Sequence, residues 1–582
     1  MVSGRDTRSG AETVKDLSDQ SRAAIFFVTA IAIFLVWSHF FMPAASTPSQ
    51  LNQKATNSQV AVTTSPGQGQ SAAAAPTVAP AAPATVPAIQ AKAETLVVLE
   101  SPVYRVEISN RGGVAQSWQL QKYFDDQKPP HPLDLVNKES ATELGWPLSL
   151  MLDDPTLEAE ANSALYQITP SGGAAQAPAE VTMQWSDGHL SVTKKLAFKD
   201  GYDTDIEVSV TLDGKPIPFA IAWRGEFGDK AVYQAAQLVT VFYSQNGKLA
   251  TPLTYKKLGF AGNQIQPYEQ GGPMDFAGVE DQFFAAAFIP GQSGLALWDW
   301  TQWHHYEANG QSALDPEAQI AAGPLAPGTF TARLFIGPKD LQILSQQQPS
   351  LEGLINFGWT GIIAKPLLFA LEWLHRFIPN YGWTIVILTL LLNMILFPVK
   401  MASFKSARKM QLVAPEIKAI QDRYKKYSMR DPRKQKMNEE VMAVYQREGI
   451  NPAAGCLPML PQLLILWAFW RVLAYSIVLR HEPWIGWIHD LSARDPYYIL
   501  PVGMAVTAFL MQKLTPMPAT VDPAQQRMMM LMPLFFVVLL FRYASGLNLY
   551  YFTANLVGAA QQWYLNRANP LPSRSKFKKN RE

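Results

Sequence analysis

The sequence predicts an α-helical polytopic membrane protein of six spans that carries one large all-β domain outside the membrane. Three observations predict it. Apolar runs long enough to cross, or nearly cross, a bilayer occur once near the start and repeatedly after residue 380. Between them, residues 94–345 hold short alternating runs separated by Gly-rich turns. The charges are also segregated: residues 94–350 hold 16 Lys+Arg against 30 Asp+Glu, and the remainder holds 33 against 17. Acidic and basic parts separated in this way belong on opposite sides of a membrane. The net charge of +2 over 582 residues conceals this.

Residues 1–22 form a mostly polar N-tail, and 23–42 (AAIFFVTAIAIFLVWSHFFM) the first span. At about 1.5 Å per residue this run covers the roughly 30 Å hydrocarbon layer. It is longer than the apolar core of a usual signal peptide and follows a long polar stretch, so it is read as an uncleaved anchor. Cys456 is the single cysteine. That excludes an intramolecular disulfide, a cysteine metal cluster and a lipid anchor after the first span. Residues 43–93, rich in Ala, Pro, Gln, Ser and Thr, cannot bury enough apolar area to fold and read as a flexible tether.

In 94–345, runs such as Leu96–Leu99, Tyr104–Ile108 and Ile206–Val210 alternate with turn signals at Asn110-Arg111-Gly112-Gly113, Ser186-Asp187-Gly188, Asp213-Gly214 and Asn246-Gly247. Many short strands with such turns imply a β-sandwich. His131, His189, His304 and His305 lie in no metal-ligand or nucleophile motif. His304-His305, beside Trp298, Trp300 and Trp303, would suit a sugar or peptide, and packing on an edge strand is the reading taken here. Asp203 and Asp205 share one strand face and read as solvated. No catalytic residue, metal or cofactor is expected.

Residues 351–378 are apolar but interrupted by Lys365, Pro366, Glu372, His375 and Arg376, which reads as an amphipathic helix at the membrane surface. Five spans are expected at 381–400, 455–478, 497–513, 528–544 and 547–565. The last three are short or polar: Arg542 interrupts 528–544, and Asn548, Thr553, Asn555, Gln561 and Gln562 lie in 547–565. A helix of about 17 residues covers roughly 26 Å, so such spans thin the bilayer or pack under protein cover, with their polar groups turned inward. Residues 401–454 carry 12 Lys+Arg against 6 Asp+Glu and the end of the chain is also basic, whereas 479–496 holds only Arg480 and Arg494. This places 401–454, 514–527 and the tail 566–582 in the cytosol, and 43–350 and 479–496 outside.

Within 401–454, Met410, Val413, Ile417, Ile420 and Tyr424 recur at helical spacing, predicting an antiparallel helical hairpin with a turn around Met429-Arg430-Asp431-Pro432. Its cations Lys405, Arg408, Lys409, Arg423, Lys425 and Lys426 suit ribosomal RNA, nascent chains or lipid headgroups, beyond what setting topology requires.

The C-terminal half then becomes specific. Asn451-Pro452 with Gly455-Cys456-Leu457-Pro458, Trp487-Ile488-His489-Asp490-Leu491-Ser492, Asp495-Pro496-Tyr497-Tyr498-Ile499-Leu500-Pro501, Asp522-Pro523 with Gln525-Gln526, Met532-Pro533, Ser545-Gly546-Leu547 and Leu549-Tyr550-Tyr551 follow one another at near-collinear spacing over about residues 350–567. In these the chain resembles the YidC family of membrane protein insertases, in the long form of Gram-negative bacteria. The resemblance implies a five-helix insertase core in the inner membrane and a periplasmic β-supersandwich akin to sugar-mutarotase folds, without enzyme activity. It implies nascent hydrophobic membrane proteins as substrates, with the Sec translocon, the ribosome and lipids as partners, and a monomer.

It also implies a hydrophilic groove, open to the cytosol and lipid, that a polar segment enters at less desolvation cost than in lipid. Thr389, Gln462, Tyr550 and Tyr551 match its polar or aromatic positions. Where the family often places a cation, this chain has Asn393, and Arg471 either replaces part of the missing charge or snorkels to the outer interface. No ATP-binding loop occurs, so hydrophobic burial would drive release into lipid. A channel or transporter, which predicts paired broken spans, and a membrane-anchored carbohydrate-binding protein are the alternatives.

Overall fold

The computed structural model describes residues 87–229, 239–251, 253, 266–308, 311–427, 431–450, 459–515, 541 and 543–568. The expected anchor 23–42, the tether up to residue 86, nearly all of the span 528–544 with Arg542, the loop from 516, the tail from 569, and the motifs at 451–458, 522–526 and 532–533 lie outside them. The chain divides into two compact units, one strand-rich, with residues up to 281 and 285–337, and one helical, with residues 282–284 and those from 338.

The described residues of the strand-rich unit form three sheets. The first orders Pro132–Asp134, Val114–Phe124, Tyr104–Ser109, Leu96–Glu100 and Gly173–Gln176, the last pair parallel. The second is ten-stranded, with Asp203–Leu212, Leu190–Phe198 and Ala179–Ser186 as a long antiparallel ladder. The third orders Tyr268–Gln270, Ala296–Ala308, Gln311–Gly323, Ala220–Trp223 and Ser149–Met151. Period-two patterning explains which faces are buried: Leu190, Val192, Leu196 and Phe198 turn inward and their neighbours do not. Asp213-Gly214 and Asn246-Gly247 both adopt positive φ, 51° and 76° at one and 53° and 71° at the other, the geometry of tight hairpin turns. Asp205 pairs with Lys199 on the solvated face. Helices α1 (Lys138–Leu144) and α2 (Pro155–Ser163) are capped by Asn137 and Asp154.

His304 and His305 both turn to Glu143 on α1. Their Nδ1 atoms lie 2.8 and 2.6 Å from its two carboxylate oxygens. These hydrogen bonds, His305's first, hold the Glu143 carboxyl down to about 2. The pair thus anchors a helix to a sheet.

The helical unit comprises α3 (Leu341–Ser345), α4 (Gly361–His375), α5 (Tyr381–Arg423), α6 (Pro432–Arg447), α7 (Met459–Tyr475), α8 (Ile499–Leu514) and α9 (Ser545–Ala568). Helix α4 buries Leu367, Leu368, Leu371 and Leu374 and exposes Ile362, Phe369 and Trp373, an apolar surface on both sides. Among the described residues, α5 is the one helix long and apolar enough to cross a membrane by length and composition; α8 and residues 462–475 are shorter apolar helices. Helix α5 continues past residue 400 without a break, so the first arm of the hairpin extends the span itself. Residues 399–414 contain neither Gly nor Pro to stop it. The hairpin core is Met410, Val413, Ile417 and Ile420 against Val444, Tyr445 and Ile450.

Candidate functional site

A seam of polar side chains runs between α5 and α9. Thr389 is fully buried, and its hydroxyl donates to the carbonyl of Ile385 in its own helix, 2.7 Å away. One turn on, Asn393 donates through Nδ2 to the Thr389 carbonyl at 2.8 Å. That leaves the Asn393 amide oxygen facing along the helix, where it accepts from Lys400 Nζ at 2.7 Å. The same amine reaches Gln561 Oε1 of α9 at 3.4 Å, and Gln561 Nε2 donates to the Asn393 carbonyl at 3.2 Å. Lys400 can do this because helical side chains lean toward the N-terminus, so residues seven apart stack on one face.

The seam continues toward the hairpin. Arg408 donates through Nη2 to Asn566 Oδ1 at 3.0 Å, Gln562 donates to the same oxygen, and Asn566 Nδ2 donates to the carbonyl of Leu514, the last residue of α8. Beside the seam, Met394, Phe397, Ala560, Gln561 and Tyr564 line a cavity of about 370 Å³. Met394 and Tyr564 are exposed, so this cavity is open to the surface. An open, largely apolar space thus adjoins a line of amides and two cations.

At the opposite end of the helices the backbone is closed by hydrogen bonds. Asp490 accepts from Ser492 and Ala493, and Ser545 Oγ donates to the carbonyls of Asp490 and Ala493 at 2.7 and 2.8 Å. Asp495, fully buried, accepts from Trp487 Nε1, Tyr497 N and Leu500 N, so it caps the start of α8. Asn380 binds the carbonyls of Pro483 and Trp484, and Gly382 lies so close to the Trp484 ring that a Cβ there would sit 2.2 Å from it. Glu482 is half-buried in this region, and burial pushes its carboxyl up.

The expected site residues fall in four places. Thr389 and Asn393 lie in the seam. Tyr550 is buried and stacks on Phe469 of α7, with Tyr551 edge-on to it at 5.7 Å. Gln462 is exposed near the start of α7. Arg471 stands apart: its Nη1 donates to the Asn356 carbonyl at 2.9 Å, and its guanidinium lies over Trp470 and Tyr475. Aromatic rings and a backbone carbonyl hold it in the second half of α7, and no hydrogen bond joins it to Asn393 among the described residues. The residue missed was Lys400, although its i+7 spacing from Asn393 already placed both on one helix face.

In the hairpin, Lys405, Lys409, Arg423, Lys425 and Lys426 are exposed, while Arg408 is half-buried over Phe404 and turned to α9. Arg423 pairs with Glu440 at 2.8 Å, and Lys426 lies over Tyr427. Lys405, Lys409 and Lys425 make no ion pair among the described residues.

Comparisons with known proteins converge on one family. Residues 373–572 match the family described as 60Kd inner membrane protein, and residues 96–370 match the YidC periplasmic domain. The chain is 34% identical over 540 residues to the membrane protein insertase YidC of Cupriavidus necator, covering 90% of each chain. It is 29% identical over 573 residues to that of Syntrophus aciditrophicus, covering 94% of this chain and 99% of the relative. Similar solved structures include an active YidC insertase with its first transmembrane domain resolved, 20% identical with a TM-score of 0.34 over 83% of this chain and 95% of that one. Another is YidC from Thermotoga maritima, 15% identical with a TM-score of 0.26 over 80% and 99%. A polar seam among apolar helices and a separate strand-rich domain are thus found in a chain that belongs to the YidC family of membrane protein insertases.

Proposed function

We propose that this insertase, which is not an enzyme, works through the α5–α9 seam as a groove open to the cytosol and to lipid. The observation that carries this reading is the hydrogen-bonded line of buried Thr389 and Asn393 with half-buried Lys400 and Gln561, beside the open cavity. Polar groups at membrane depth cost several kcal/mol each unless they are paired or hydrated. A line of them beside an apolar opening gives a polar segment of an entering chain a place to be solvated while its apolar helix slides against Met394 and Tyr564 into lipid. Release is then driven by burial of apolar surface. Helix α8, of 16 residues, spans roughly 24 Å. Beside it the bilayer is thinned and the crossing shortened.

In this reading the chain has six spans with both termini in the cytosol, as the basic loops favour. The closed Asp490–Ser545 end faces the periplasm, and α4 lies at the periplasmic membrane surface. The exposed cations Lys405, Lys409, Lys425 and Lys426 of the hairpin meet ribosomal RNA or the nascent chain, and the Sec translocon joins for larger clients. Photocrosslinking from positions 393 and 551 to stalled nascent chains tests the groove. Crosslinks from both are expected, and their absence from both would overturn it.

A further inference from the structure

We propose that the cavity between α5 and α9 seats one anionic phospholipid from the leaflet on the hairpin side. Its acyl chain lies against Met394, Phe397 and Tyr564, and its phosphate sits between Lys405 and Arg567. This rests on α5 and α9 being spans, as read above. The first support is the slot itself. Met394, Phe397, Ala560, Gln561 and Tyr564 line about 370 Å³, and Met394 and Tyr564 stand exposed at its rim. Apolar surface of this kind is best covered by hydrocarbon.

The second support is depth. Trp563 and Tyr564 are both exposed on α9, and amphipathic rings settle at the headgroup level. Eleven residues separate Met394 from Lys405, about 16 Å of helix. That is close to half of the roughly 30 Å hydrocarbon layer. The slot is therefore as long as one leaflet is deep, which suits a single lipid and not a helix that spans the bilayer.

The third support is the charge at its edge. Phe397, Met401 and Lys405 follow one another at four-residue spacing on α5, and Ala560, Tyr564 and Arg567 at four- and three-residue spacing on α9. Each wall of the cavity thus ends in a cation. Both cations are exposed, with the Arg567 guanidinium over the Trp563 ring at 5.6 Å, and neither makes an ion pair among the described residues. Helix α9 holds no Asp or Glu, and α5 holds none before Glu416. Two cations closing an apolar slot fit a phosphodiester joined to hydrocarbon, and they favour a headgroup with net negative charge over a zwitterion. Among the exposed cations of the hairpin Lys405 lies nearest the span, so it serves the lipid while no ribosome is bound.

The test is native mass spectrometry of the full-length protein in detergent, offered equal amounts of phosphatidylglycerol and phosphatidylcholine. One phosphatidylglycerol per chain is expected to be retained. Lys405→Gln and Arg567→Gln are each expected to weaken retention about fivefold, the worth of one cation at an anionic surface. Ala560→Trp, which fills the slot, is expected to abolish retention with both cations in place, whereas Lys425→Gln with Lys426→Gln leaves it unchanged. Equal retention of the two lipids, equal loss in the Lys425/Lys426 variant, or displacement by soluble glycerol phosphate overturns the proposal. In vesicles of the same two lipids without a client, a photoreactive residue at position 394 is expected to capture phosphatidylglycerol in preference, and capture of a second copy of the chain overturns it. Position 395, exposed on α5 outside the cavity lining, captures either lipid if α5 spans the membrane. Silence there sinks the span reading, whereas capture of both lipids alike at 394 sinks this inference alone.

Discussion

The rings of Phe469 and Tyr550 lie face to face, 4.3 Å between centroids and 12° from parallel. One belongs to α7 and the other to α9, so the stack fixes the spacing of these two helices. Aromatic pairs contribute about 0.5–1.5 kcal/mol beyond their buried area. Replacing Tyr550 with Ala removes the stack and leaves a cavity, a loss of about 3–5 kcal/mol. Replacing it with Phe keeps the stack. Thermal unfolding in detergent is expected to show a clear drop for Tyr550→Ala and a small change for Tyr550→Phe.

Asp495 is the second point of rigidity. Its carboxylate accepts from an indole and from two backbone N–H groups at 2.7–3.0 Å. Removing an acceptor from buried donors leaves each unpaired, at about 1–3 kcal/mol for the set. Asp495→Ala is expected to loosen the start of α8 and make residues 487–498 more sensitive to protease, while Asp431→Ala at the exposed start of α6 changes that segment not at all.

Part of this architecture was legible in the sequence, for identifiable reasons. Asp213-Gly214 and Asn246-Gly247 announced turns because few other pairs tolerate positive φ at both positions. The hairpin was legible because Met410, Val413, Ile417 and Ile420 keep one period and pack as that period implies. The first hairpin arm was read as a new helix because charge begins at Lys400, yet neither that polarity nor Pro398 and Pro415, which both lie inside α5, ends the helix. Lys400 escaped notice for the same reason: at the boundary of an apolar run it looks like an interfacial anchor. Only the coordinates bring its amine back to Asn393. Arg471 sits within an apolar run, where Trp470, Tyr475 and the Asn356 carbonyl hold its guanidinium.

Lys194 breaks the alternation rule from the inside. It occupies an inward position on its strand and donates through Nζ to the carbonyls of Gly112, Gly113 and Leu148 at 2.8–3.0 Å. Burial pushes its amine down from 10.5 to about 7. The unfolded chain therefore holds a proton that the folded domain gives up between those values. Where the unfolded state binds more protons, stability rises with pH. The unfolding midpoint of the periplasmic domain is expected to gain a rising component between about pH 7 and pH 10. Lys194→Met abolishes that component and, with the carbonyls served by the neutral amine's two N–H groups left unpaired, lowers stability by about 1–3 kcal/mol at pH 9. Thermal melts of the two proteins at pH 7 and pH 9 provide the measurement.

The hairpin separates charge from packing. Arg447 makes two 2.9 Å hydrogen bonds to Glu416 across its two arms, and Arg423 pairs with Glu440. Both arginines are exposed, and surface pairs of this kind contribute about 1 kcal/mol at most. Ile417 lies beneath them, 1% exposed and in contact with the core of the second arm. Truncating such a side chain to Ala costs about 2–5 kcal/mol. Amide hydrogen exchange across residues 410–450 is therefore expected to accelerate strongly in Ile417→Ala and hardly at all in Arg447→Ala. Raising the salt concentration is expected to leave the exchange pattern of the unmodified hairpin in place, because its stability comes from buried side chains while its exposed lysines remain available to bind.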